Sequence, residues 1–137
     1  MARWLIGALA ALLLAGTARA QQVELPTGVH SFGGAGVAAV VSPQPSGQPL
    51  KLFSVTVSAA SAGYLMVFDA VTAPASGSTV AFPLLRWCAP IAADVPYGFS
   101  WGQFPDLFNT SAVVAFSSTG CGTYTPATAL WIGGQAQ

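Results

Sequence analysis

Charge is what this sequence has least of. Its 137 residues include four Lys and Arg and four Asp and Glu, 6% of the chain, against about a quarter in an ordinary soluble domain. Two of the four cations, Arg3 and Arg19, fall in the first twenty residues, which leaves Lys51 and Arg86 for the remainder. A nucleic-acid partner needs clustered Lys and Arg to neutralise its phosphates, so that class of function is excluded. Metal donors are equally scarce. One histidine, His30, two cysteines and the scattered carboxylates Glu24, Asp69, Asp94 and Asp106 show no ligand spacing, and no metal or cofactor is expected. Helical patterning is missing too: beyond residue 20, no apolar 3.6-residue period runs for ten residues without a Pro or Gly. There is no internal repeat.

The beginning of the chain is unlike the rest. Met1-Ala2-Arg3 is a positive start, Trp4 to Gly16 is a thirteen-residue apolar run, and Ala18-Arg19-Ala20 is a small-x-small site. Residues 1–20 therefore read as a helical signal peptide cut after Ala20, too short for the roughly 20 apolar residues of a membrane span. The expected mature chain, residues 21–137, is one secreted or periplasmic domain with no transmembrane segment and a net charge of −2 from two cations and four carboxylates. In an oxidising compartment its two cysteines are expected to pair as Cys88–Cys121. With so few like charges to keep copies apart, the chain itself is a candidate partner.

Strand signals recur about every ten residues. Val37 to Val41 is a short apolar run, and three prolines between Ser42 and Pro49 exclude helix there. From Leu50 to Ser58 the residues alternate, with Phe53, Val55 and Val57 on one face and Ser54, Thr56 and Ser58 on the other. Tyr64 to Val71 is apolar on both faces apart from Asp69. Thr79 to Trp87 is strand-like, with Pro83 placing it at an edge or bulge. Tyr97 to Trp101 alternates, Ala112 to Phe116 is the clearest buried strand, and Ala127 to Ile132 closes the fold. Gly33 to Gly36 reads as a flexible turn. The pattern predicts an all-β, antiparallel β-sandwich of seven or eight strands, immunoglobulin-like or jelly-roll-like, with a closed barrel as the other form such spacing allows.

Two textual matches to reactive motifs and one carboxylate pair lose their chemistry in context. Gly98-Phe99-Ser100-Trp101-Gly102 spells a nucleophile elbow, but Pro105 follows closely and the histidine precedes the serine, against the order that motif requires. Gly34 to Ala39 imitates a dinucleotide loop, yet Ser42-Pro43 ends any helix and no acid stands near position 60. Asp94 and Asp106 are the one conceivable carboxylate pair for glycoside hydrolysis, and both lie in turn-like sequence. Asn109-Thr110-Ser111 is a glycosylation sequon in a eukaryotic source. No catalytic residue is expected, and the protein reads as a non-enzyme.

The densest aromatic stretch is the candidate for binding. Tyr97, Phe99 and Trp101 recur at period two, followed by Gln103, Phe104, Asp106, Phe108 and Asn109. Rings beside amide and carboxylate groups suit a sugar, stacking on its C–H groups and fixing its hydroxyls; the same rings can instead fill a core. The binding candidates are Trp101, Gln103, Phe104, Asp106, Phe108 and Asn109.

From Gly63 onward, Gly63-Tyr64-Leu65-Met66-Val67-Phe68-Asp69-Ala70, then Val113 to Cys121 and Trp131-Ile132-Gly133-Gly134-Gln135, resemble small, mostly uncharacterised β-rich exported or phage-associated proteins of bacteria. The resemblance implies a β-sandwich and a structural or surface role, and transfers no catalytic residue. The expected function is an exported, non-enzymatic module for structure, assembly or adhesion, partnered by itself, a cell-surface protein or a glycan. A small carbohydrate-binding module built around Trp101 is the alternative.

Overall fold

The computed structural model describes residues 29–41 and 48–137. The expected signal peptide and the heart of the proline-rich connection lie outside the described residues. Those described form eleven strands in antiparallel sheets, with no helix and no closure into a barrel.

The strands are β1 (His30–Gly36), β2 (Ala38–Val41), β3 (Leu50–Ser58), β4 (Gly63–Asp69), β5 (Ser78–Thr79), β6 (Leu85–Ile91), β7 (Tyr97–Ser100), β8 (Asp106–Phe108), β9 (Ala112–Ser117), β10 (Thr123–Tyr124) and β11 (Ala129–Ala136). Sheet A has the order β1-β11-β3-β7, with β8 beside the first residues of β3 and β7 beside its last. Sheet B has the order β2-β9-β4-β6. The strand at one edge of each sheet is almost continuous: β1 lies in sheet A and β2 in sheet B, with Val37 at the crossing.

The core lies between the sheets. Leu50, Leu52, Val55, Val57 and Ile132 of sheet A meet Leu65, Val67, Val114 and Phe116 of sheet B, all 1% exposed or less. The alternation in β3 is broken once. Leu52 pairs with Ala136 and Ser54 with Gln135, leaving Phe53 without an opposite residue. This bulge resets the parity, so that Leu50 and Leu52 point inward together with Val55 and Val57. Phe53 is half-buried, outside the inward-facing set in which simple alternation places it.

Sheet B is covered a second time. Met66 and Phe68 of β4 and Val113 and Ala115 of β9 face away from sheet A into a smaller core with Val80 and Tyr124. The ribbon of β5 and β10 forms its lid, and Tyr124 meets Phe68 edge-on at 5.7 Å. A disulfide from Cys88 of β6 to Cys121 fastens that ribbon, as the cysteine count predicts. Covering on both faces is why β4 and β9 read as unbroken apolar runs.

Several boundaries depart from expectation. Gly33 to Gly36 is part of β1, paired to β11, and not a free turn. The run from Thr79 to Trp87 divides into β5 and β6, with Pro83 between them. The short β5, β8 and β10 raise the strand number above seven or eight; two or three residues give no periodicity to read.

Candidate functional site

The aromatic stretch folds into the seam that closes one side of the sandwich. β6 is the edge of sheet B, and β7 with β8 is the facing edge of sheet A. Trp87 from β6 reaches Phe99 at 4.9 Å, Tyr97 at 6.2 Å and Trp101 at 6.3 Å, and Phe99 meets Trp101 edge-on at 4.9 Å. Beside these rings Arg86 Nη2 donates to Asp106 Oδ1 at 2.9 Å, and the guanidinium lies 5.7 Å from the centre of the Phe108 ring. Edge-on rings and a cation over a ring face are favourable quadrupole contacts. They join the two sheets where no backbone pairing does.

The six binding candidates are thereby dispersed. Phe108 is fully buried in the main core, which removes it from any surface. Trp101 is half-buried against Phe99 and Trp87. Asp106 is engaged by Arg86, and its Oδ1 also accepts the Leu107 N–H. Gln103 and Phe104 stand out in the turn after Trp101, with Phe104 86% exposed. Asn109 is exposed, and its N–H donates to Asp69 Oδ2, a carboxylate that also accepts from Thr110.

The reactive motifs come apart in the same way. Ser100 Oγ accepts the N–H of Gly102 at 3.2 Å, a local turn contact. His30 is on β1, three strands across sheet A from Ser100 on β7, a separation of roughly 14 Å where a catalytic hydrogen bond needs about 3 Å. The register also sets them on opposite faces: Ser100 pairs with Ser54 on the outer side, and His30 with Ala136 on the inner. Asp106 pairs with Leu52, whereas the N–H of Asp94 bonds to Ala59 at the other end of β3. Seven residues of strand put about 20 Å between them, beyond the 5–9 Å of a glycosidase pair. Asp94 has φ 56°, the left-handed turn conformation its sequence setting suggests.

A different surface emerges from the register of sheet A. Directly opposed residues share a face, so the outer side carries Ser31, Gln135, Ser54 and Ser100 as one cross-strand row. The next row is Gly33, Gly133, Thr56 and Gly98, and beyond it Trp131 stands opposite Ser58. None of these side chains is charged; Lys51 lies at the margin. The Trp131 indole packs directly on the β1–β11 pair: a methyl at Gly33 would come within 2.7 Å of its Cζ2, and one at Gly133 within 2.8 Å of its Nε1. Glycine in both opposed positions is what lets the ring come this close to the sheet. The indole is 47% exposed and forms one wall of a shallow groove of about 220 Å³ with Thr56, Ser58, Pro96 and Gly98. In the sequence alone Trp131 reads as part of a closing strand and nothing more. The signal was a tryptophan two residues from glycine within a strand, but its glycine partner in β1 is about a hundred positions away.

Among the described residues no helix is long and apolar enough to cross a membrane, and no three His, Cys, Asp or Glu side chains gather as metal donors. Compared with protein-family models, curated proteins and solved structures, the chain matches none.

Proposed function

We propose that this chain is an exported, non-enzymatic β-sandwich, secreted or periplasmic, that acts through its surface as a structural, assembly or adhesion module. The observation that carries the reading is the unequal treatment of the two sheets. Sheet B has its outer face covered by the chain's own ribbon, fastened by a disulfide. Among the described residues nothing covers the outer face of sheet A, which is uncharged across three rows and bears a half-exposed tryptophan. An open sheet face ordinarily carries charged residues that keep it in water and away from other sheets.

The disulfide is compatible with an oxidising compartment. The spacing of Ser100 from His30, and of Asp94 from Asp106, supports a role without catalysis. The resemblance from Gly63 onward points the same way. The test is sedimentation of the purified protein at high micromolar concentration, together with its retention on cell-envelope material. Self-association or retention is expected, lost in a Ser54→Lys, Ser100→Lys variant that still folds. A strict monomer that envelope material does not retain removes the proposal.

A further inference from the structure

We infer that the Trp131 platform on sheet A is a stacking site for a neutral polysaccharide, a deepening of the proposed function that rests on sheet A being the working face. Three features of the groove agree on this ligand class. The indole is already seated on the Gly33–Gly133 pair, so little side-chain freedom is lost when a ligand covers it. Its π-face is electron-rich and attracts the weakly positive C–H groups on the face of a pyranose ring. Thr56 and Ser58 beside it, with the Ser54–Gln135 pair one row further on, offer hydroxyl and amide groups at the level of sugar hydroxyls.

Charge and shape select further. No cation or carboxylate lines the groove, so an acidic glycan, a phosphate or a basic peptide finds no counter-ion. The volume of about 220 Å³ is below the roughly 300 Å³ at which drug-sized pockets begin. That suits a flat ring resting on a surface better than a small molecule needing enclosure. Gly98 on the neighbouring strand adds no side chain to the groove, so an extended chain can cross the sheet without obstruction.

The test uses purified protein with cellulose, chitin and a β-1,3-glucan as probes, each in low salt and in about 1 M salt, where exposed charge contacts are screened. Retention by at least one of them, insensitive to salt, is expected. Trp131→Ala should weaken it by about tenfold or more, the loss typical of a central aromatic contact, while Trp131→Tyr keeps part of it. Thr56→Arg, which leaves the indole in place and fills the groove, should weaken it comparably, and Phe104→Ala should leave it unchanged. Unfolding midpoints of the variants separate lost binding from lost folding. The inference is overturned if no polysaccharide retains the protein, or if Trp131→Ala is retained like the parent. It is also overturned if Trp131→Ala only converts an oligomer to monomer, which makes a second copy the occupant and leaves the module reading intact. Release of reducing ends from a bound polysaccharide would instead remove the non-enzymatic reading while keeping the site.

Discussion

Asp69 shows how a scarce charge is used in this molecule. Its N–H donates to Leu84, and its carboxylate accepts the N–H groups of Asn109 and Thr110, so one side chain fixes the turn between β8 and β9 to the end of β4. Removing the carboxylate hands two exposed donors back to water, a loss of about 0.5–1.5 kcal/mol. Asp69→Ala should lower the urea midpoint accordingly, and Asp69→Asn, which keeps an acceptor oxygen, should lower it less. Tyr124 links stability to pH. Burial against sheet B, from its place on β10 of the ribbon, raises its phenol above the ordinary value of 10.0, because the charged form loses its hydration. Its contribution is therefore complete below about pH 10, where both states hold the proton, and is lost as the pH rises through the folded-state value. Urea midpoints measured between neutral pH and about pH 11 should fall more steeply for the parent than for Tyr124→Phe.

At the scale of elements, two devices keep the layers together. The disulfide closes a loop of 33 residues in separation from β6 to the ribbon. Chain entropy values such a constraint at about 3–4 kcal/mol. The double variant Cys88→Ser, Cys121→Ser should lose about that much in denaturant titration, with amide exchange rising first in residues 75–82 and 118–126, where the ribbon leaves sheet B. The second device is the seam. Trp87→Ala removes the ring that Tyr97, Phe99 and Trp101 share, and a loss of about 2–4 kcal/mol is expected for truncating a large packed aromatic. Phe104→Ala touches the same stretch of sequence but an exposed ring, and should stay within about 0.5 kcal/mol of the parent. The unfolding midpoints of this pair check the assignment of the aromatic patch to structure.

For the whole molecule, the proposed encounters are expected on the outer face of sheet A. Its rows lack charge, so contacts made there should vary little between about 0.1 and 1 M salt, unlike contacts that depend on exposed ion pairs. Sedimentation or retention that collapses as salt rises would place the contact elsewhere, at Lys51 or the Arg86–Asp106 edge. A single charged substitution on the face, Thr56→Lys, should abolish the contact and leave the unfolding midpoint within about 0.5 kcal/mol, since the site is exposed and Lys on an open sheet face is tolerated.

How much of this could be read from the amino acids differs by feature, and the reasons are physical. The all-β class and the buried character of β4 and β9 follow from local facts: the two-residue period, the placement of Pro and Gly, and apolar runs on both faces; the cysteine pairing follows from there being two cysteines. The bulge at Phe53 could not be read, because which residue a strand skips depends on its partner β11. Nor could the fate of the aromatics. Tyr97, Phe99 and Trp101 have the same spacing whether they face solvent or Trp87, and the choice is made by β6 lying opposite β7 across the open side of the sandwich. The platform at Trp131 depends on Gly33 and Gly133 being opposed in register, a coincidence of distant residues. Local chemistry thus settled the kind of structure and the scarcity of charge; long-range pairing decided which rings became core and which face remained open.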